Sequence, residues 1–228
     1  MLENEGLRIA AISYDSAETL RSFGEKFQIR FPLLSDGDSA VIRKFGIFNA
    51  NIAPGLRAHG VPHPVEYLVA PDGVVIRKYF VPNYQHRVTA SAVVLREFGR
   101  SGDEAPRVTL QSGAVTVEIG LSSAKAFAGQ ELSFFARFTM QPGWHVYPDT
   151  LVTFDDPKVI RQSFEFGETF QGLGTLLLKF PLAAGETTLS GQVRFQQCSE
   201  TVCEPPETIR FELPLTLEPF LVATAAVP

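Results

Sequence analysis

Cysteine is scarce in this 228-residue chain. There are two, Cys198 and Cys203, and residues 1–197 contain none. Tryptophan occurs once and methionine twice. No run of about 18 apolar residues occurs, which excludes a membrane-spanning helix. Basic residues are not in excess: 20 Lys and Arg stand against 25 Asp and Glu, a net charge of −5. With so little positive charge to neutralise phosphates, nucleic acid is not an expected partner. The opening Met1–Gly6 has neither a basic n-region nor an apolar h-region, so it does not read as a secretory signal. The four histidines, His59, His63, His86 and His145, are scattered without ligand spacing. Neither a metal nor another cofactor is expected.

Hydrophobic residues make up 45% and charged residues 20%, a globular balance that excludes a disordered or collagen-like chain. At about 150 residues per domain, the length allows one large domain or two small ones. Nineteen Phe against five Tyr suggest a core of aromatic rings in narrow layers, as in a β-sandwich.

Along residues 1–98 strand and helix signals alternate. Leu7–Ser13 reads as a buried parallel strand. It begins so close to Met1 that it is expected either to lie at a sheet edge or to follow sequence lost upstream. Ser16 is a candidate N-cap for a helix carrying Leu20, Phe23 and Phe27 on one face. Phe31–Asp36 is extended, and Ser39–Phe45 is a second short helix stopped by Gly46. Val65–Ala70 and Val74–Phe80 read as a hairpin around Pro71-Asp72-Gly73, because glycine accepts the positive φ of such a turn. Thr89–Phe98 is a last helix. Residues 99–106, rich in Gly, Pro and charge, read as a linker. From 107 to 218 the pattern changes to short alternating strands with Gly/Pro turns, which argues for an immunoglobulin-like β-sandwich. Residues 219–228 read as a tail. The expected fold class is therefore α/β followed by all-β.

Cys198 ends a strand, and Cys203 lies just before Pro205-Pro206, where a ladder cannot continue on its donor side. Four intervening residues can fold back and bring the pair within disulfide range. Close spacing is compatible with a structural staple, a redox pair or half of a metal site. The small loop limits what a staple could add to stability, yet spacing alone leaves staple and redox pair equally open. Glu200, Glu204 and Glu207 surround the pair, and negative charge disfavours thiolate. A slow pair, activated by its partner, is expected.

Two resemblances bear on the choice. The stretches Ala11-Ile12-Ser13-Tyr14-Asp15-Ser16, Phe31-Pro32-Leu33-Leu34-Ser35-Asp36, Gly60-Val61-Pro62-His63-Pro64 and Ala70-Pro71-Asp72-Gly73 resemble, over residues 6–98, the alkyl hydroperoxide reductase/thiol-specific antioxidant family of thioredoxin-like redoxins. The resemblance implies a thioredoxin-like domain without its N-terminal strand and reactive cysteine, and hence no peroxidase activity from this chain alone. It implies a fragment of a longer redoxin rather than a degenerate scaffold, since loss of a central strand leaves an open edge. It aligns Pro64 with the cis-proline that faces the thiols in such folds, and makes Pro64 and His63 candidates for partner docking.

Residues 107–217 resemble the N-terminal (alpha) domain family of the thiol:disulfide interchange protein DsbD. The resemblance rests on Phe195-Gln196-Gln197-Cys198, Cys203-Glu204-Pro205-Pro206-Glu207, Pro142-Gly143-Trp144-His145-Val146-Tyr147 and Thr169-Phe170-Gln171-Gly172. It implies a redox pair, Cys198 and Cys203, with Cys203 as first nucleophile in the reduced domain, Phe170 as a cap and Tyr147 flanking the sulfurs. It also implies an oxidoreductase that relays electrons by thiol–disulfide exchange to thioredoxin-like or DsbD-type partners, or to a redoxin segment missing from this chain, in a periplasmic or other extracytoplasmic space. The alternative is a non-enzymatic binding or scaffold module with a static disulfide.

Overall fold

Residues 2–56, 59–80, 87–147, 149–167 and 169–219 are described in the computed structural model. His86 and, apart from Pro219, the tail 219–228 lie outside them. The chain divides into two units, 1–84 and 85–228.

In the first unit a 3-10 turn at Leu2–Glu5 precedes β1 (Ala11–Ser13). Then come α1 (Ala17–Lys26), β2 (Leu33–Ser35), α2 (Ala40–Lys44), β3 (Val65–Val69) and β4 (Val75–Phe80). Ser16 caps α1 as expected, its hydroxyl accepting from the Thr19 amide at 3.2 Å. The Asp36 carboxylate accepts from the amides of Val41 and Ile42, 3.1 and 2.8 Å away, so the first turn of α2 has its donors satisfied. β3 and β4 pair antiparallel around Gly73 at φ 87°.

β1 pairs with β2 in parallel, but these two strands and β3–β4 form separate two-stranded sheets. The strand expected to be buried is half open: Ile12 is 38% and Leu34 50% exposed. A strand with one short neighbour has no second layer to bury it. The His63–Pro64 bond is trans, contrary to the expectation of a cis-proline. The cis X–Pro bond among the described residues is Phe180–Pro181. Trans is the ordinary preference, and here Pro64 simply leads into β3.

The second unit opens with β5 (Arg87–Val88) and α3 (Ala90–Phe98). β6 (Arg107–Ser112), β7 (Val115–Leu121), β8 (Lys125–Phe127), β9 (Gln130–Met140) and β10 (Trp144–Val146) follow. β11 (Leu151–Thr153), β12 (Val159–Phe166), β13 (Gln171–Leu178), β14 (Gly185–Phe195), β15 (Gln197–Ser199) and β16 (Glu207–Glu218) complete it. The helix read as the close of the first domain belongs here. β5 pairs with β9, the Ser133 hydroxyl donates to the Ala92 carbonyl at 3.2 Å, and Arg96 lies 3.7 Å from Glu131. Ala92, Val94 and Leu95 are buried, and an apolar helix face goes to whatever sheet can cover it.

One sheet runs β12-β13-β9-β7-β6 and the other β11-β14-β16-β8. Alternate residues of both sheets fill one buried cluster, among them Val117, Ile119, Phe134, Leu176, Leu189, Val193, Phe211 and Leu213. The phenylalanine excess is explained here. Phe134 meets Phe154 edge-on at 5.0 Å and Phe154 meets Phe211 at 5.3 Å. These rings lie over cross-strand glycines: Gly174 opposite Phe134 and Gly191 opposite Phe211. A Cβ at Gly191 would stand 2.5 Å from the Phe211 ring. Pro214 sits within β16 without harm because β8 pairs only with residues 216–218, leaving the proline nitrogen on an open edge.

Candidate functional site

Past β14 the chain runs on through Gln196 into β15, which pairs antiparallel with β10 so that Trp144 faces Ser199, His145 faces Cys198 and Val146 faces Gln197. A tight turn follows. The Ser199 amide donates to the Val202 carbonyl at 2.7 Å, and the Ser199 hydroxyl accepts from the Val202 amide at 3.1 Å. The Glu204 amide donates to the Gln197 carbonyl at 2.9 Å. Hydrogen bonds thus flank Cys198 and Cys203, which form a non-hydrogen-bonded pair, the antiparallel geometry that brings side chains closest. Their Cα atoms are 4.1 Å apart and their sulfurs are joined at 2.08 Å. The turn fulfils the expectation that four residues suffice to fold the chain back.

The two cysteines have unequal surroundings. Cys198 is 0% exposed, whereas Cys203 is exposed on the outer segment of the turn. A nucleophile arriving from solvent meets Cys203 first.

Buried Gln197 anchors the hairpin. Its Oε1 accepts from the Ala114 amide at 3.0 Å, tying β15 to the β6–β7 turn. Beyond the cysteines, the Ser112 hydroxyl donates to Glu207 and Gln196 donates to the Glu204 carbonyl at 3.0 Å. Trp144 and Gln197 alternate away from the sulfurs and, with Glu204, Pro205 and Glu207, line a pocket of about 550 Å³ on the far side of the hairpin. Glu207, expected beside the sulfurs, is thus engaged at this pocket.

Tyr147 follows β10, is 41% exposed, and meets the His145 ring edge-on at 5.4 Å. Alternation puts both rings on the face that carries Cys198. Phe170 lies in the β12–β13 turn at φ 56°; its carbonyl accepts from the Phe138 amide at 2.9 Å, and its side chain packs against the core cluster. His63 and Pro64 lie in the first unit: the His63 amide donates to the Ile47 carbonyl at 2.7 Å and its ring meets Phe80 edge-on at 6.0 Å. Two residues of this site did not emerge from the sequence, His145 and Gln197. For His145 a signal existed: in Trp-His-Val-Tyr the histidine shares its strand face with Tyr147. Gln197 had none, because its partner lies 83 residues away.

Among the described residues no group of three His, Cys, Asp or Glu could hold a metal ion, and no helix is long and apolar enough to cross a membrane.

Comparison with known proteins matches each unit separately. Residues 1–78 match the AhpC/TSA family model, and residues 120–215 match that of the N-terminal region of thiol:disulfide interchange protein DsbD. Peroxiredoxin Bcp of Escherichia coli (strain K12) is 34% identical over 74 residues, 32% of this chain and 47% of that protein. Peroxiredoxin Bcp of Xanthomonas campestris is 30% identical over 77 residues, 34% of this chain and 48% of that protein. The chain spans about half the length of these curated relatives. Among solved structures, a DUF4426 family protein from Pseudomonas aeruginosa PAO1 aligns at 12% identity with a TM-score of 0.28, covering 50% of this chain and 97% of that one. Both family similarities point to thiol–disulfide redox chemistry in general: the chain is similar to the AhpC/TSA family over its first 78 residues and to the N-terminal region of DsbD over residues 120–215.

Proposed function

We propose that this protein relays electrons by thiol–disulfide exchange through Cys198 and Cys203, with thioredoxin-like or DsbD-type dithiol proteins as partners. The observation that carries the reading is the asymmetric disulfide: one cysteine exposed on a turn, the other buried as leaving group. A partner thiolate attacks Cys203 Sγ, a mixed disulfide forms, and the partner's second thiol resolves it. In this reading the second unit is an immunoglobulin-like sandwich of the DsbD N-terminal type, Phe170 acts as a cap and Tyr147 flanks the pair. His63 and Pro64 serve as a docking surface in the first unit. An oxidising, extracytoplasmic compartment, the periplasm in a bacterium, suits such a pair.

The test is a redox titration against glutathione and dithiothreitol, read by mass spectrometry after thiol alkylation. A midpoint of about −200 to −270 mV, the range of thioredoxin-type proteins, supports the relay. A pair still oxidised below about −300 mV is a static staple, and the domain is then a binding module. A Cys198→Ser variant, with Cys203 free, is expected to trap partners as mixed disulfides, and a Cys203→Ser variant is not.

A further inference from the structure

His145, Cys198 and Cys203 form one row. His145 is directly opposite Cys198 in the β10–β15 ladder, and Cys203 is directly opposite Cys198 on its other side. Directly paired residues project from the same face, with Cβ atoms about 5 Å apart. The His145 side chain therefore projects from the same face as the disulfide, next in the row to buried Cys198. It is partly exposed and can exchange protons with water.

We propose that His145, as imidazolium, stabilises the thiolate that forms on Cys198 when the disulfide is opened, and so makes Cys198 a better leaving group at mildly acidic pH. The inference rests on the exchange reaction proposed above. The partner's thiolate sulfur attacks Cys203 Sγ. The Cys198–Cys203 bond breaks, its electron pair goes to Cys198 Sγ, and a new bond joins Cys203 to the partner. The charge on Cys198 develops beside His145, which pairs with it and passes it a proton. The partner's second thiolate then attacks its own sulfur in the mixed disulfide, and the released Cys203 thiolate takes a proton from water. The partner dithiol is oxidised by two electrons and the cysteine pair is reduced by two.

A buried thiol without a cation ionises reluctantly, and a neighbouring cation reverses that. Leaving groups of lower pKa depart faster. The other titratable side chains on the segments around His145 are Tyr147 on its own strand, and Glu200 and Glu204 on the turn that joins and follows the cysteines.

The experiment compares wild type with His145→Gln and His145→Lys. The rate of reduction is measured from pH 5.5 to 9, first by dithiothreitol and then by a thioredoxin-like dithiol protein. Dividing wild-type by variant rates removes the ionisation of the reductant. The ratio to His145→Gln is expected to rise from about one at pH 9 to about tenfold at pH 5.5. His145→Lys, which keeps a cation, should match wild type at low pH and exceed it at high pH. In a Cys203→Ser background, thiolate absorbance near 240 nm should show the Cys198 pKa rising when His145→Gln is added, a measurement that needs no exchange partner. A ratio that is flat with pH, or a Cys198 pKa indifferent to residue 145, overturns the inference while leaving the relay standing. If dithiothreitol gives the expected ratio but the protein dithiol reduces no form of the chain, the relay fails and the His145 effect survives. If neither reductant opens the disulfide, both fall.

Discussion

Asp156 is 6% exposed, and its carboxylate accepts from Lys158 Nζ at 2.9 Å, from the Lys158 amide at 2.9 Å and from the Ser190 amide at 3.2 Å. Burial pushes its pKa up, but the Lys158 side chain, these amides and the lysine charge outweigh burial and hold it below the ordinary 3.8. A carboxyl depressed in the folded state contributes stability above its unfolded pKa and loses it as pH falls through the folded value. Acid unfolding followed by circular dichroism should therefore show wild type losing stability below pH about 4. Asp156→Asn should flatten that limb and start from a lower plateau, and Asp156→Ala should cost about 1–3 kcal/mol near neutrality by leaving buried amide donors unpaired. Gly191 is a test of steric rather than electrostatic fit. An added methyl would meet the Phe211 ring at 2.5 Å and the Thr153 carbonyl oxygen at 2.7 Å. Gly191→Ala should cost about 1–3 kcal/mol in denaturant titration, whereas Gly102→Ala, where the space is open, should cost far less.

Helix α3 is an element whose allegiance can be measured. Leu95 is 1% exposed on it, so Leu95→Ala should destabilise the second unit by about 2–5 kcal/mol. A chain starting at residue 85 should be markedly more stable to urea than one starting at 99; equal midpoints would show that the helix adds nothing to the sheet it covers. The apolar pattern of residues 89–98 made this helix legible, but not its place; in the structure Thr89 caps it and Gly99 ends it. Helical periodicity shows that a face is apolar, not which sheet buries it, and the Gly/Pro stretch behind it read naturally as a boundary. Hairpins were legible because turn chemistry is local: Pro71-Asp72-Gly73 and the Cys198–Cys203 turn both lie where the residues put them. The expected burial of β1 failed because burial depends on neighbours that a strand cannot name. At the site, the folding back that brings Cys198 to Cys203 was legible from spacing. Gln197 was not, since its anchoring bond spans 83 residues.

Taken whole, the two units differ in how much apolar surface they hide. In the first, the buried hydrophobic side chains among the described residues are Leu20, Ile42, Ile47 and Tyr79, while Phe23, Phe27, Leu34 and Phe45 are each more than 40% exposed. In the second, a continuous cluster fills the space between two sheets. Local opening free energy follows buried contact. Hydrogen–deuterium exchange should therefore show the amides of β1, β2, β3 and β4 exchanging well before those of β9, β14 and β16; uniform protection across both units would contradict this. The chain's single indole brings a last consequence. Trp144 lies across the ladder from Ser199, one residue from a disulfide. Disulfides quench excited indoles at short range. The protein therefore emits its own signal of oxidation state: fluorescence should brighten as the bond opens, with no dye attached and no second tryptophan to blur the reading.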